Sequence, residues 1–186
     1  MPEHKLHQVV GEIVSRNFKE NVKLDYACCK NEDFKQQLPL FSSEDATRET
    51  QLCKVDMLVV SENEVKVVIE IEESGRIPTK ICGKFITTAL AKLYKPYKGK
   101  ALFLASPLLF IQVLSSNGIP NKSSIPNQLC NIEKAMRNIS NVNGRQMYYF
   151  LFVGKPDDKF EREIGLKIID RINEFLKTGR IDYGNQ

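Results

Sequence analysis

The chain has few of the residues that several common kinds of site require. Its only two histidines, His4 and His7, lie near an N-terminus that we expect to fray, so we predict neither a Ser/His/Asp triad nor a zinc site built on them. The five cysteines are odd in number and lack Cys-x-x-Cys spacing, which argues against a disulfide framework and a zinc ribbon. Glycine-rich phosphate-binding motifs are absent, so we expect no nucleotide cofactor.

Long apolar runs are missing as well. The N-terminal segment MPEHKLHQVV has no signal-peptide core, and no stretch approaches the roughly 18 to 20 apolar residues of a membrane span. We therefore expect a soluble, cytoplasmic protein with no membrane partner. A hydrophobic content of 42% in 186 residues is enough for one sizeable core, so we expect a single domain over residues 1–186. The net charge of +4 would suit a polyanionic partner without requiring one.

Helical and strand patterns alternate along the chain. Helical spacing of apolar residues predicts helices over 6–18, 78–96, 130–140 and 159–179, the last ending at Gly179, and β-branched and apolar runs predict strands over 22–29, 54–60, 64–72, 100–106 and 146–154. Residues 30–50 show neither period and predict a surface excursion, whereas 107–129 predict a short helix and then a loop. The order predicts an α/β domain with a central mixed β-sheet, an antiparallel hairpin in its middle, and flanking helices on both faces.

The stretch KVVIEIEES, residues 66–74, places two acids on one face of a predicted strand. Side chains alternate along a strand, so Glu70 and Glu72 share a face that is opposite to that of the neighbouring isoleucines. A three-residue hairpin loop over 62–64 would set Asp56 opposite Glu70. A loop shorter by one residue would pair Asp56 with Ile69 and separate the acids, because a slip of one residue exchanges the faces of a strand.

Three carboxylates beside apolar residues repel one another where screening is poor, and a divalent cation relieves that repulsion. Ligands that are all oxygen atoms indicate Mg²⁺, or Mn²⁺ as a substitute, rather than Zn²⁺. The alternative is that these acids form only a solvated strand face. The hydrophobic surroundings of VVIEIE favour the metal site, because a charged edge strand would be less apolar.

An Asp at the head of one hairpin strand, followed 14 positions later by acid-x-acid, resembles the PD-(D/E)xK nuclease superfamily. The predicted element order is also similar to that of its restriction-endonuclease-like core, over roughly residues 5–155. The chain departs from the motif at Val55, where the family often has Pro, and at Glu72, where it usually has Lys. The small size and the segment EIEESGRIPTKICGKF resemble the small catalytic subunit of heterodimeric type IIS restriction endonucleases.

This resemblance implies that Asp56 and Glu70 ligate Mg²⁺ together with the backbone carbonyl of Ile71. Glu72 would orient or deprotonate the attacking water. The resemblance further implies double-stranded DNA as substrate. It also implies a larger partner subunit that recognises the site and nicks one strand while this chain cuts the other.

Other charged residues are further candidates. Glu12 on the first helix matches an acid that many members of the superfamily bring to the outer shell of the metal, although it also suits a solvated helix surface. Lys80 and Lys84 lie one helical turn apart, and either could return the positive charge that Glu72 removes. We place Lys80 first because it is nearer the strand end. As exposed helix residues, both lysines also have a plain solvated role.

The sequence therefore predicts a Mg²⁺-dependent endodeoxyribonuclease. A structure-directed repair or junction-resolving nuclease and a non-catalytic DNA-binding or scaffold protein stay open as alternatives. The segment AKLYKPYKGK, residues 91–100, interleaves lysines with tyrosines and suits phosphate contact as well as a solvated turn. Since no DNA-recognition module is present, we expect the loops at 41–50 and 115–127 to offer partner or DNA contacts.

Overall fold

A computed structural model of the chain describes residues 4–29, 36–74, 77–120, 123–157 and 159–183. Within these residues, nine strands form one mixed, mostly antiparallel sheet with helices on both faces. The α/β class and the flanked central sheet are therefore confirmed. Within the described residues, no helix has both the length and the apolar character needed to cross a membrane.

Four strands rich in β-branched and aromatic residues build the centre of the sheet. Strand β4 (Met57–Ser61) pairs antiparallel with β5 (Glu64–Glu72). Strand β5 pairs parallel with β7 (Leu102–Ser115), which in turn pairs parallel with β9 (Arg145–Gly154). Strand β7 is covered on both faces, and its second half is almost continuously apolar, whereas β5 also buries Glu70 and Glu72.

Five shorter strands complete the sheet: β1 (Val22–Leu24), β2 (Leu38–Phe41), β3 (Gln51–Val55), β6 (Leu93–Tyr94) and β8 (Asn141–Val142). Strand β2 pairs with β3 and β6, and its side chains at positions 38, 40 and 41 are buried. This part of the predicted excursion over 30–50 is therefore sheet, not surface loop. Residues 30–35 lie outside the described part of the chain.

The helices are α1 (Lys5–Phe18), α2 (Pro78–Leu90), α3 (Ile125–Arg137) and α4 (Leu166–Thr178). The first and last match their predicted spans, except that a π-helical turn at Glu161–Gly165 precedes α4, and Gly179 ends α4 in the left-handed conformation at φ 65°. Helices α1 and α4 cover one sheet face. Helices α2 and α3 cover the other together with β2.

Two predicted helical segments are wrong. Helix α2 ends at Leu90 rather than near Pro96, because Leu93–Tyr94 pairs with both β2 and β7. The helix predicted from Pro107 is instead the second half of β7, which lies between β5 and β9. An apolar run of this length suits a buried strand as well as a buried helix, and pairing on both sides selects the strand.

The β4–β5 hairpin reaches its predicted register by an unexpected route. Its turn has two residues, Glu62 and Asn63, with φ 55° and 61°, and not the three predicted. Lys66 is an extra residue in β5, since Val60 pairs with Val65 while Val59 pairs with Val67. This bulge restores the register downstream of it, where Leu58 lies opposite Val68 and Met57 opposite Ile69, as predicted.

Candidate active site

The two acids of β5 are buried at its C-terminal end. Glu70 is 2% exposed and Glu72 is 7% exposed, which is rare for carboxylates unless they have partners. Both alternate with Val67, Ile69 and Ile71, which pack into the core on the other face. The predicted separation of the two faces is therefore present, and the acids point to the side covered by α2.

Asp56 is the single residue between β3 and β4, and it lies beside the C-terminal end of β5. Its backbone carbonyl accepts a hydrogen bond from the Asp25 amide at 2.8 Å. Its Oδ2 accepts a hydrogen bond from the Ile71 amide at 2.7 Å, which holds the carboxylate beside β5. The structure thus brings Asp56 to Glu70, as the hairpin register predicts.

The pKa of Glu70 is raised to about 8, first by burial and then by the charge of Asp56 and a hydrogen bond with it, while Lys84 acts to lower it. An acid with such a pKa holds a proton at neutral pH unless a cation replaces it. The Asp56–Glu70 pair is therefore a place where a positive charge is strongly favoured.

Two lysines of α2 meet these acids. Lys84 Nζ lies 2.7 Å from Glu70 Oε2 and 3.8 Å from Glu72 Oε2, whereas Lys80 Nζ lies 2.6 Å from Glu72 Oε2. Although burial lowers the pKa of Lys84, the Glu70 carboxylate and its hydrogen bond raise it above its usual value overall. The side chain of Lys84 is 25% exposed and that of Lys80 is 48% exposed. Lys84, which the sequence placed second, is the more enclosed lysine and contacts both acids.

The two other predicted site residues are placed differently. Glu12 has an exposed side chain on α1, and the α1 residue that faces Asp56 is His7. Ile71 turns its amide N–H toward Asp56. Metal ligation by the Ile71 carbonyl stays a prediction, as does a role for Glu12 in an outer shell.

His7 and Glu73 are site neighbours that the sequence analysis missed. His7 is buried, with Nε2 3.7 Å from Asp56 Oδ1 and Nδ1 3.0 Å from Glu73 Oε1. Burial acts to raise the pKa of Glu73, but hydrogen bonds from the His7 ring and from nearby amides hold it below the usual value. The missed signal was periodicity, because His7 lies one turn before Val10 and Val14 on the buried stripe of α1.

A polar pair on β7 and β9 borders the site. Gln112 is the register partner of Glu70, and its Oε1 accepts a hydrogen bond from the Tyr149 hydroxyl at 2.9 Å. Gln112 is fully buried, and its Nε2 has no hydrogen-bond partner within the described residues. Neither residue carried a signal in the sequence, because only the strand pairing places Gln112 beside Glu70.

The basic and loop segments lie at different ends of the sheet. Strand β6, which lies within AKLYKPYKGK, pairs with Phe103 of β7, and Phe103 is in turn the register partner of Glu64 at the start of β5. The basic segment is therefore eight residues of β5, or roughly 26 Å, away from Glu72. The loop after β7 begins at the acidic end, because Leu114 is the register partner of Glu72. Of the predicted contact segments, 115–127 is thus near the acids, although residues 121–122 lie outside the described chain.

Comparison of the chain with protein-family models, with characterised proteins and with solved structures gave no significant match. The resemblance to PD-(D/E)xK nucleases therefore depends on the sequence of this chain alone.

Proposed function

We propose that the chain is a Mg²⁺-dependent endodeoxyribonuclease with a restriction-endonuclease-like fold, and that Mn²⁺ can replace Mg²⁺. The observation that carries the proposal is the convergence of buried Glu70 and Glu72 with Asp56 and the ammonium group of Lys84 at one end of the sheet. Burying so many acids is unfavourable unless the arrangement has a cation to hold.

The donor set suits Mg²⁺. Asp56 and Glu70 supply the oxygen ligands that this cation prefers, and the burial of Glu70 and its proximity to Asp56 disfavour its charged form unless a cation lies beside it. When bound, the cation would act as a Lewis acid that activates water and neutralises charge on the scissile phosphate. The Ile71 carbonyl would complete the protein ligands.

The remaining polar residues would act on the water and the phosphate. Asp56, Glu70 and Glu72 form an acid row, and Glu72 lies at its outer end. There it would accept a proton from the attacking water or orient that water. Lys84 would provide the positive charge that the superfamily motif usually takes from the residue at the position of Glu72. Lys80, the more exposed lysine, would contact a substrate phosphate and leave Glu72 when DNA binds.

A larger partner subunit fits the size of the chain. No recognition module is present in the sequence, so specific cleavage needs another source of base contacts. We propose that this chain is the cleaving subunit of a heterodimeric type IIS restriction enzyme and that its partner reads the site. The loop over 115–127 would meet the DNA or the partner, because it begins beside Glu72.

Cleavage of duplex DNA with and without the product of a neighbouring gene tests this proposal. We expect Mg²⁺-dependent cleavage that requires the partner and is lost in Asp56→Ala. The matched control is Glu163→Gln, which removes an exposed acid from the π-helical turn before α4 and should retain activity. Unchanged cleavage in Asp56→Ala would refute the site. Cleavage of branched DNA by the chain alone would favour a repair or junction-resolving nuclease.

One observation favours a second function, that of a non-catalytic DNA-binding or scaffold protein. Lys80 and Lys84 already neutralise Glu72 and Glu70, so the acid row is balanced without a cation. On this account the chain binds DNA with an affinity that Mg²⁺ does not change. DNA binding without cleavage under every metal and partner condition would support this function over the nuclease.

A further inference from the structure

A second group of metal-ligating side chains lies on the other side of Asp56. Ligand atoms of His4, His7 and Glu73 all lie within 4.8 Å of one another. His7 Nδ1 and Glu73 Oε1 lie 3.0 Å apart. In a tetrahedral zinc site with bonds near 2.1 Å, neighbouring ligand atoms are about 3.4 Å apart, so two of the three ligands already have a suitable spacing.

The protein holds this pair of ligands firmly. Glu73 Oε1 accepts hydrogen bonds from the backbone amides of Leu6 at 2.8 Å and His7 at 3.2 Å, which fixes the carboxylate over the first turn of α1. The His7 ring is buried against it. His4 is exposed, and its ring lies edge-on to that of His7 with centroids 5.2 Å apart. One of its ring nitrogens already lies within 4.8 Å of the other two ligand atoms.

We propose that His4, His7 and Glu73 bind one divalent transition-metal ion of the Zn²⁺ class. Two imidazoles and one carboxylate are a donor set that zinc accepts, with a position left for water, whereas Mg²⁺ prefers oxygen ligands. The chain would then carry two cation sites of different chemistry on either side of Asp56. This site goes beyond the nuclease proposal, because it would exist even if the acids of β5 were inert.

The contact behind His7 supports this reading independently. If Nδ1 ligates the metal, the other ring nitrogen carries the proton, and Nε2 lies 3.7 Å from Asp56 Oδ1. Histidines that ligate metals usually present their second nitrogen to a carboxylate or carbonyl, which fixes the tautomer and the ring orientation. Asp56 Oδ1 lies on that side of the His7 ring, at a distance longer than a hydrogen bond.

A purely structural role for the cluster makes a different prediction. Glu73 also stabilises the start of α1, because its charge lies near the helix N-terminus and it accepts two amide hydrogen bonds. That role needs no contribution from His4. Dependence of metal binding on His4 therefore separates the metal site from a helix cap.

Titration of untagged protein with Co²⁺, followed by visible absorption and by displacement with Zn²⁺, tests the proposal. We expect one ion per chain, a spectrum of nitrogen and oxygen ligation, and at least about a tenfold loss of affinity in His4→Ala and Glu73→Gln, since even residues behind the ligands contribute that much. The matched control is Lys5→Ala, an exposed neighbour in the same turn, which should bind as the parent does. Glu70→Gln should retain stoichiometric Co²⁺ binding with the parent affinity, which keeps this site distinct from the acidic one.

Three outcomes would overturn the proposal. These are the absence of Co²⁺ binding, equal affinity in His4→Ala, and thiolate absorption bands, which would assign the ion to the five free cysteines. Circular dichroism checks that each variant folds. If Glu73→Gln unfolds because α1 loses its cap, His4→Ala still decides the question, since its side chain is exposed. None of these results depends on whether the chain cleaves DNA.

Discussion

The affinity of the acidic site for Mg²⁺ should depend steeply on pH. Glu70 has a pKa of about 8 because of burial and of its neighbour Asp56. A cation that ligates Glu70 must replace its proton, so below pH 8 the apparent affinity falls about tenfold per pH unit. About 90% of Glu70 is ionised at pH 9 and about 1% at pH 6, so affinity should fall about 90-fold, or about 3 kcal/mol, between them.

Calorimetry with Mg²⁺ in buffers of different ionisation enthalpy measures this linkage directly. At pH 7 we expect close to one proton released per cation bound. Glu70→Gln removes the carboxyl group that titrates and most of the affinity for Mg²⁺, so the proton release should vanish. The matched variant Glu72→Gln leaves Glu70 in place and should retain the release. An affinity that is flat from pH 6 to 9, with no proton release, would refute the reasoning, because Glu70 would then be ionised already by Lys84 or would not be a ligand.

Two further predictions concern stability, and urea unfolding measures both. A Cβ at Gly11 would lie 2.1 Å from the backbone oxygen of Cys28, so Gly11→Ala should destabilise the fold by at least about 1–3 kcal/mol. A Cβ at Gly83 would meet no described atom within 4 Å, so the matched variant Gly83→Ala should stabilise α2 by about 1 kcal/mol. If both variants behave alike, the close approach of α1 to Cys28 is wrong. The other prediction concerns Glu70 without metal. Because its pKa is raised in the folded state, Glu70 contributes fully to the free energy of unfolding below about pH 4.5 and loses that contribution as pH rises through about 8. Glu70→Gln should therefore gain stability relative to the parent between about pH 5 and 9. A stability difference that is constant with pH would contradict the raised pKa.

The β4–β5 hairpin shows how a wrong local detail can leave a prediction intact. The turn is one residue shorter than predicted, and that error alone would have moved Asp56 away from Glu70. The bulge at Lys66 compensates for it. Burial of Val67 and Ile69 on one face is worth several kcal/mol, so a register that keeps them inside is favoured even when the turn changes.

Pairing partners account for the larger errors. Residues 107–115 form a strand because β5 and β9 lie beside them, and residues 93–94 because β2 and β7 lie beside them. None of those neighbours is visible in the local sequence. The same holds for Leu38–Phe41, where polar flanking residues hid a short buried strand. Local periodicity contains no information about which distant strand will supply the hydrogen bonds.

Two β-branched runs separated by SENE were sufficient to predict the hairpin, and the alternation of apolar and acidic residues was sufficient to predict the separated faces of β5, with Glu70 and Glu72 together on one of them. These features depend on neighbours a few residues away, and the 2.0 and 3.6 residue periods report them directly. Only the tertiary structure decided that Lys84 is the lysine that contacts both acids, that His7 and Glu73 lie beside Asp56, and that the basic segment 91–100 lies at the far end of the sheet. Those contacts join elements far apart in the chain, and packing of the helices against the two sheet faces sets their distances.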